Sequence, residues 1–187
     1  MKQNIPPAIR LTLVCIMFFM GIYSLIILAG AQLAPGKGKG ETVSFNNRIV
    51  GWKLLGQKFT EDKYFWSRPS AVDYNASSSG GSNKGPTNPD YLKQVQDRID
   101  TFLVHNPAVK KADIPSDLVT ASGAGLDPDI SVQGAYAQID RVAKVRSLPV
   151  DQVKALVQKH IKKPLWDLFG TERVNVLDLN IALDELK

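Results

Sequence analysis

The chain has 187 residues, enough for one domain of ordinary size plus a short extra segment, which excludes large multidomain enzymes. Hydrophobic residues make up 44% of the chain and charged residues 22%, values typical of a folded protein rather than a disordered or fibrous one. The net charge is +5, but the basic residues are scattered and no aromatic platform is interleaved with them, so nucleic-acid binding is not expected.

An apolar segment lies near the amino terminus. No charged residue occurs between Arg10 and Lys37, an interval of 26 residues. At about 1.5 Å per residue, a helix of this length extends roughly 39 Å, whereas the hydrocarbon core of a bilayer is about 30 Å thick. We therefore predict a short tail at residues 1–10, a single transmembrane anchor at residues 11–34 and a soluble domain at residues 35–187.

A cleaved secretory signal is the alternative interpretation of this segment. Lys2 and Arg10 provide a basic start, and Ala29-Gly30-Ala31 resembles a cleavage site. The apolar run over residues 11–28 is longer than the roughly 7 to 15 residues of a signal core, which favours a retained anchor. Cys15 is the only cysteine and lies within this run, so a disulfide within the chain is excluded.

The orientation of the anchor depends on its flanking charges and on the length of the domain after it. The basic tail favours a cytoplasmic amino terminus, although Lys37 and Lys39 reduce the charge difference across the segment. A long domain that comes after a signal anchor crosses the membrane largely regardless of its own charge. We therefore expect a single-pass protein with a cytoplasmic amino terminus and an extracytoplasmic soluble domain.

The first half of the soluble domain contains strand-like and loop-like segments. After a Gly/Lys linker at residues 35–40, β-branched and aromatic residues predict short strands at residues 49–59 and 64–66. The Ser-, Gly- and Asn-rich composition of residues 75–87 indicates a flexible loop.

A helix is predicted next, with Asn88 as its cap and Pro89 in its first turn, ending at Pro107. Its apolar face consists of Leu92, Val95, Ile99, Phe102 and Leu103. A second helix begins after Ser131, with an apolar face formed by Val132, Ala135, Tyr136, Ile139, Val142 and Ala143.

A third helix begins at Pro149 and stops at Pro164. Its apolar face consists of Val153, Leu156, Val157 and Ile161. Residues 174–177 alternate like a strand, and a last short helix is expected over residues 178–186. These elements predict an α+β fold for the soluble domain.

Two glycine-rich stretches resemble phosphate-binding loops but lack a required residue. Gly80 and Gly85 have the separation of a P-loop, but Pro86 stands where that motif needs its Lys. The stretch at residues 123–125 begins like a dinucleotide fingerprint, but Pro128 replaces its third glycine. Each is interpreted as a turn.

Candidates for catalysis or metal binding are few. His105 and His160 have no Cys or second His at metal-ligand spacing, so both are expected to be structural. Ser122 lacks the first glycine of a nucleophile elbow. Asp127 and Asp129 have the chemistry to bind a cation, but a turn that caps the next helix accounts for both. We predict no catalytic residue, no metal site and no covalently bound cofactor.

Five unusual strings occur together in this chain. They are FWSRPSA at residues 65–71, SGGSNKGPTNP at 79–89, DLVTASGAGLDP at 117–128 with Ile130 and Ser131 behind it, Gln138 with Arg141, Val142, Ala143 and Arg146, and RVNVL at 173–177 with Asn180. Their order and spacing resemble the KdpC family, the small subunits of Kdp potassium-transporting ATPases, from the anchor to the last helix. The family usually carries His after the proline of the acidic turn, where this chain has Asp129.

The resemblance implies an accessory subunit of a potassium pump in the plasma (inner) membrane. In that family a large subunit, KdpB, hydrolyses ATP and a channel-like subunit, KdpA, conducts potassium. The small subunit is needed for assembly and activity, and is described as a catalytic chaperone that raises the nucleotide affinity of the ATP-hydrolysing subunit. By analogy with transporter signature sequences, residues proposed for nucleotide contact map onto Ser79, Gly80, Gly81, Ser82, Asn83 and Gln138.

The residues themselves favour a different role for these strings. An outward-facing domain meets almost no ATP, and the P-loop lysine is missing. We therefore hypothesise that the strings form loops that dock onto the potassium-conducting subunit, and that effects on ATP use arrive through the assembly. The candidate docking residues are Ser67, Arg68, Pro69, Asn83, Thr120, Ser122, Asp127 and Arg141.

Other interpretations stay open at this point. Helix caps and turns within the domain account equally well for the docking candidates. A membrane-anchored extracytoplasmic enzyme that uses Ser122 or the Asp127 region is an alternative function. A domain that captures potassium ions for the channel is another.

Overall fold

The computed structural model describes residues 2–186 of the chain. They form two compact units, one up to Thr42 and the other from Val43 onward. The first unit is an apolar helix over Ile5–Ala31, made of α1 (Ile5–Ile16), a π-helical stretch (Met17–Tyr23) and α2 (Ser24–Ala31). Its 27 residues are long and apolar enough to cross a membrane, which fits the predicted anchor.

The helix starts at Ile5, before the predicted start of the anchor. Two prolines lie in its first turn, where a backbone N–H has no partner within the helix and proline is therefore tolerated. Within the helix, the Ser24 hydroxyl donates a hydrogen bond to the Phe19 carbonyl oxygen at 3.1 Å. This bond satisfies a polar group that a hydrocarbon environment would leave without a partner.

The second unit begins with a β-hairpin. Strands β1 (Thr42–Phe45) and β2 (Arg48–Trp52) are joined by Asn46 and Asn47, whose φ values of 50° and 60° are those of a tight hairpin turn. The strand predicted at residues 49–59 is therefore right only as far as Trp52. Beyond Trp52 the chain turns, and the Leu55 N–H donates to the Trp52 carbonyl oxygen.

Five α-helices follow in the second unit: α3 (Pro89–His105), α4 (Val132–Tyr136), α5 (Ile139–Arg146), α6 (Val150–Lys159) and α7 (Val176–Glu185). Both predicted caps are confirmed: the Asn88 side chain accepts from the Tyr91 N–H at 3.1 Å, and the Ser131 hydroxyl accepts from the Gly134 N–H at 2.9 Å. The second predicted helix was expected to be continuous, which is wrong, because the chain makes a tighter turn before Gln138 and restarts at Ile139.

A three-stranded antiparallel sheet joins distant parts of the chain. Its strands are β3 (Asp129–Ser131), β4 (Ile161–Lys162) and β5 (Arg173–Asn175), in the order β3-β5-β4, with Val174 facing both Ile130 and Ile161. The strand predicted at residues 174–177 stops at Asn175 because the Asn175 side chain accepts from the Asp178 N–H at 3.0 Å and starts α7. Ile161, expected on a helix, lies in β4.

The core lies between the sheet and the helices. It is formed by Phe65 and by buried side chains from helices α3 to α7 and from β3 and β5, among them Phe102, Ile130, Val142, Val153, Val157, Val174, Leu179 and Leu183. The α+β prediction, with an apolar amino-terminal helix and then one compact domain, is confirmed.

Candidate functional site

Residues 62–68, here called the strap, begin in a turn that is closed by a hydrogen bond from the Tyr64 N–H to the Glu61 carbonyl oxygen, and they pair with no β-strand in the described part of the chain. The carbonyl oxygens of residues 62–66 instead accept hydrogen bonds from side chains, one after another. The strand predicted at residues 64–66 is therefore wrong, because side chains replace the neighbouring strand.

Two side-chain amides bind the centre of the strap. Asn180 accepts from the Phe65 N–H at 2.8 Å and donates to the Phe65 carbonyl oxygen at 2.9 Å. Gln138 accepts from the Trp66 N–H at 2.7 Å and donates to the Trp66 carbonyl oxygen at 3.3 Å. A side-chain amide offers the same donor and acceptor as a peptide group, so each residue takes the place of one rung of a sheet.

Two arginines bind the start of the strap. Arg141 donates to the carbonyl oxygens of Asp62 (2.6 Å) and Tyr64 (2.9 Å). Arg146 donates to the Lys63 carbonyl oxygen at 2.7 Å. Together with the two amides, these side chains bind five successive carbonyl oxygens and thus fix the position of the strap.

Arg141 is the centre of this network. Its side chain is 2% exposed and also donates to Gln138 Oε1 (2.7 Å) and to Asn106 Oδ1 (3.0 Å). Its guanidinium lies 4.6 Å from the centroid of the Trp66 ring. Burial lowers the pKa of Arg141 to about 10, and the nearby Asp62 carboxylate partly opposes that shift. The guanidinium therefore stays charged at neutral pH.

Gln138, a predicted nucleotide-contact residue, is fully buried within the network. Its Oε1 accepts from Trp66 and Arg141, and its Nε2 donates to the carbonyl oxygens of Trp66 and Gly134. Both polar atoms are thus fully used by the protein. A nucleotide contact at Gln138 stays a prediction, and it would require the network to open first.

The other predicted nucleotide-contact residues lie on a surface loop, away from Gln138 in sequence. Ser79, Gly81, Ser82 and Asn83 are exposed and Gly80 is half-buried; the side chains of Ser79, Ser82 and Asn83 form no hydrogen bond with residues 2–186. A Cβ atom at Gly81 would lie 3.0 Å from the Gly123 carbonyl oxygen, so this loop packs closely against the turn that contains Gly123. The structure thus brings two of the five sequence strings into contact.

Arg68 and Asp127, both docking candidates, form an ion pair at 2.6 Å. The second oxygen of Asp127 accepts from the Asp129 N–H at 3.0 Å, which is the predicted turn. The cap of the next helix is Ser131 and not one of these carboxylates. Asp129 lies in β3 and pairs with Arg173 at 2.9 Å.

The remaining docking candidates differ in exposure and in their contacts. The hydroxyls of Ser67 and Thr120 donate to the carbonyl oxygens of Gln57 (2.8 Å) and Ser116 (2.7 Å), and the buried Ser122 accepts a long bond, 3.4 Å, from the Asp127 N–H. Arg141 is committed to the strap, Pro69 is half-buried, and Asn83 is exposed. The turn-and-cap interpretation thus accounts for most of their polar groups, and docking stays a prediction.

Both histidines have partners inside the protein. His105 Nδ1 lies 2.8 Å from Asp62 Oδ1, and His160 Nδ1 lies 2.8 Å from the Leu156 carbonyl oxygen. Within residues 2–186, no three His, Cys, Asp or Glu side chains come together as metal ligands would. A cavity of about 530 Å³ opens beside His105 and Arg141, between the end of α3 and α5.

Sequence reasoning missed Asn106, Arg146 and Asp62 as members of the strap network. A usable signal was present at the start of α5, because Gln138, just before the helix, and Arg141, within it, fall at helical spacing among the apolar positions that face the core. A long polar side chain on a buried face needs an internal partner. Unpaired backbone in an extended segment is one such partner.

Comparison with known proteins gives a consistent result over nearly the whole chain. The profile of the KdpC family, described as "K+-transporting ATPase, c chain", matches residues 5–185. The potassium-transporting ATPase KdpC subunit of Flavobacterium psychrophilum is 58% identical over 99% of this chain and 100% of the relative. Those of Bacteroides fragilis and Caldanaerobacter subterraneus subsp. tengcongensis are 53% and 45% identical, each over at least 96% of both chains. The chain therefore belongs to the KdpC family of potassium-transporting ATPase subunits.

Proposed function

We propose that this chain is the non-catalytic accessory subunit of an ATP-driven potassium importer. It assembles with an ATP-hydrolysing subunit and a potassium-conducting subunit, KdpB and KdpA, and supports their activity. The observation that carries the proposal is the match of residues 5–185 to a family of ATPase subunits.

The chain influences ATP use through assembly rather than by direct catalysis. Gln138 has no free donor or acceptor, so its role is to hold the strap. The exposed loop at residues 79–83 and the neighbouring turn at residues 120–125 are the docking elements of this proposal. Their exposed side chains and close backbone approach at Gly81 suit a preformed contact surface.

The apolar helix is retained as a single-pass anchor in the plasma membrane, with the second unit outside the cytoplasm. Cysteine labelling can test this topology, because Cys15 is the only native cysteine and replacing it leaves no background reaction. In a Cys15→Ala background, Ser82→Cys, at an exposed position, should react with an impermeant maleimide in intact cells. Gln3→Cys, also at an exposed position, is the matched control and should react only after the membrane is opened. The opposite pattern would contradict the proposed topology.

Assembly is tested by copurification and potassium uptake. A tagged full-length chain should bring down two larger membrane proteins and restore growth at low external potassium to a strain that lacks the chain. Recovery of the tagged chain alone, together with turnover of a substrate by that isolated chain, would favour the anchored-enzyme alternative instead.

The effect on ATP is tested on the assembled complex. The Michaelis constant for ATP should be lower with the chain than without it, and Ser79→Ala, Ser82→Ala and Asn83→Ala combined should weaken copurification and the ATP effect together. Loss of the ATP effect with copurification unchanged would support direct nucleotide contact at these residues and contradict our docking mechanism.

A further inference from the structure

An exposed apolar turn lies at residues 165–169, outside the strap network and the candidate docking loops; we call it the apolar turn. Leu165, Trp166, Leu168 and Phe169 are 62%, 81%, 74% and 57% exposed. Single exposed apolar residues are common on soluble proteins, but a contiguous group of large ones marks an interaction surface.

The backbone of the apolar turn is built to present these side chains. Leu165 and Phe169 exchange two backbone hydrogen bonds, at 3.2 and 3.0 Å, which close the turn. Trp166 and Asp167 at its tip both have φ of 56°. This left-handed conformation suits Asn or Gly and is costly for a bulky residue such as Trp. Such strain is concentrated at functional positions, and here it directs a large ring into solvent.

Basic residues flank the apolar turn in sequence. Lys162 and Arg173 are paired with Asp178 (2.8 Å) and Asp129 (2.9 Å), whereas Lys159 is exposed. Lys163 is exposed and forms no ion pair within the described residues. Aromatic rings beside Lys and Arg match the boundary between lipid headgroups and acyl chains, where rings enter the boundary and cations meet phosphates.

The linker keeps the second unit close to whatever membrane the apolar helix spans. Ten residues, 32–41, separate the end of α2 from the start of β1. Fully extended, they reach at most about 35 Å. A domain of this size has a radius of gyration of about 15 Å, and hence a diameter of roughly 40 Å. The linker is therefore shorter than the domain, which strongly favours contact between domain surface and bilayer.

We propose that the apolar turn inserts into the interface of the bilayer that the apolar helix spans. Trp166 and Leu168 enter the headgroup boundary, and Lys163 contacts lipid phosphate. The second unit then has two attachments to the membrane, the linker and the apolar turn, which fix its orientation on the surface. The proposal rests on the proposed retention of the helix as a membrane anchor.

The test uses the full-length chain in vesicles of phosphatidylcholine and phosphatidylglycerol. In a Cys15→Ala background, Leu168→Cys carries an environment-sensitive fluorophore, and Val104→Cys, at a 78% exposed position on α3, is the matched control. Lipids with a spin label near the headgroup should quench the label at position 168 at least fivefold more than the label at position 104. Equal quenching at the two positions would overturn the proposal.

A second variant separates membrane insertion from other causes of quenching. Adding Trp166→Ser and Phe169→Ser to the labelled Leu168→Cys variant should reduce quenching at position 168 at least twofold. The unfolding midpoint should be unchanged, because these side chains are exposed. Unchanged quenching would overturn the proposal. Flotation with the vesicles tests the anchor separately. If the chain floats with the vesicles but the label at position 168 is not quenched, only the insertion of the apolar turn is refuted. If the larger subunits are needed to shield the label, the turn docks onto protein and the bilayer proposal is wrong.

Discussion

The strap network predicts that Gln138→Leu lowers the free energy of unfolding by about 5 kcal/mol. Leu has a similar volume, so the change removes polar groups without opening a large cavity. Three hydrogen bonds to backbone groups of Trp66 and Gly134 are lost, each contributing about 1 kcal/mol, and the bond to the charged Arg141 contributes more. The backbone groups of Trp66 lose the partner that replaces a neighbouring strand.

The change is measured by urea unfolding and hydrogen exchange on the full-length chain in detergent micelles. We expect exchange of amides at residues 62–68 to accelerate more than tenfold, while α6, whose residues make no hydrogen bond to the Gln138 side chain, changes less. An unfolding free energy within about 0.5 kcal/mol of the unmodified chain, with the strap still protected, would refute the structural role given to Gln138.

Asn180→Leu is the matched comparison, because Asn180 binds the neighbouring strap residue. It removes the pair of bonds to Phe65 and should cost about 2 to 3 kcal/mol. If Gln138 acts through the strap, both variants should alter the ATP response of the assembled complex in the same direction. An effect confined to the Gln138 variant, at equal copurification, would indicate a direct ligand contact instead.

Three further predictions concern single positions. Gly125→Ala should cost about 2 kcal/mol, because Gly125 has φ of 70° and a Cβ there would lie 2.9 Å from the Ala71 backbone nitrogen; an unchanged thermal midpoint would contradict this. Ser131→Ala should cost about 1 to 2 kcal/mol by urea unfolding, since the hydroxyl caps α4 and bonds to Asp117, whereas Ser131→Thr should retain most of the stability. Burial raises the pKa of Tyr74 to about 12, so the stability contributed by its protonated hydroxyl is fully present below pH 10 and is lost as the pH rises towards 12. Tyr74→Phe should therefore lose less stability than the unmodified chain between pH 10 and 12, and parallel pH curves would contradict the assignment.

The helices were largely predictable because their start signals are local. Asn88 and Ser131 act through bonds to N–H groups three residues ahead, so the sequence contains both partners. Asn175 is the same kind of signal, but apolar residues on both sides of it suggested a strand through Leu177. Asn175 is both the last residue of a strand and a helix cap, since β5 ends at Asn175 and its side chain starts α7.

The strap was not predictable because its partners are distant in sequence. Phe65 and Asn180 are separated by 115 residues, and no periodicity within the strap indicates which side chains bind it. The break between α4 and α5 has a related cause: Gln138 lies at the break and bonds to Trp66, a tertiary contact that no local pattern contains.

The candidate site was predictable as a set of strings but not as an arrangement. Arg68 and Asp127 were selected separately and meet as an ion pair, whereas Gln138 was selected as a ligand contact and is buried as a structural residue. A string common to a family indicates that its residues matter. Only coordinates distinguish a residue that faces a ligand from one that holds a neighbouring segment.

The way in which the strap is held sets what kinds of change it can accept in evolution or design. Its amide and guanidinium partners bind main-chain atoms, so exchanging an outward-facing residue such as Lys63 leaves those bonds in place. Adding or deleting one residue is different, because the later carbonyl oxygens would then be displaced by one residue from the side chains that bind them. The strap should therefore tolerate many different amino-acid sequences of one fixed length. Insertions and deletions there should abolish folding even at positions where substitutions leave stability unchanged.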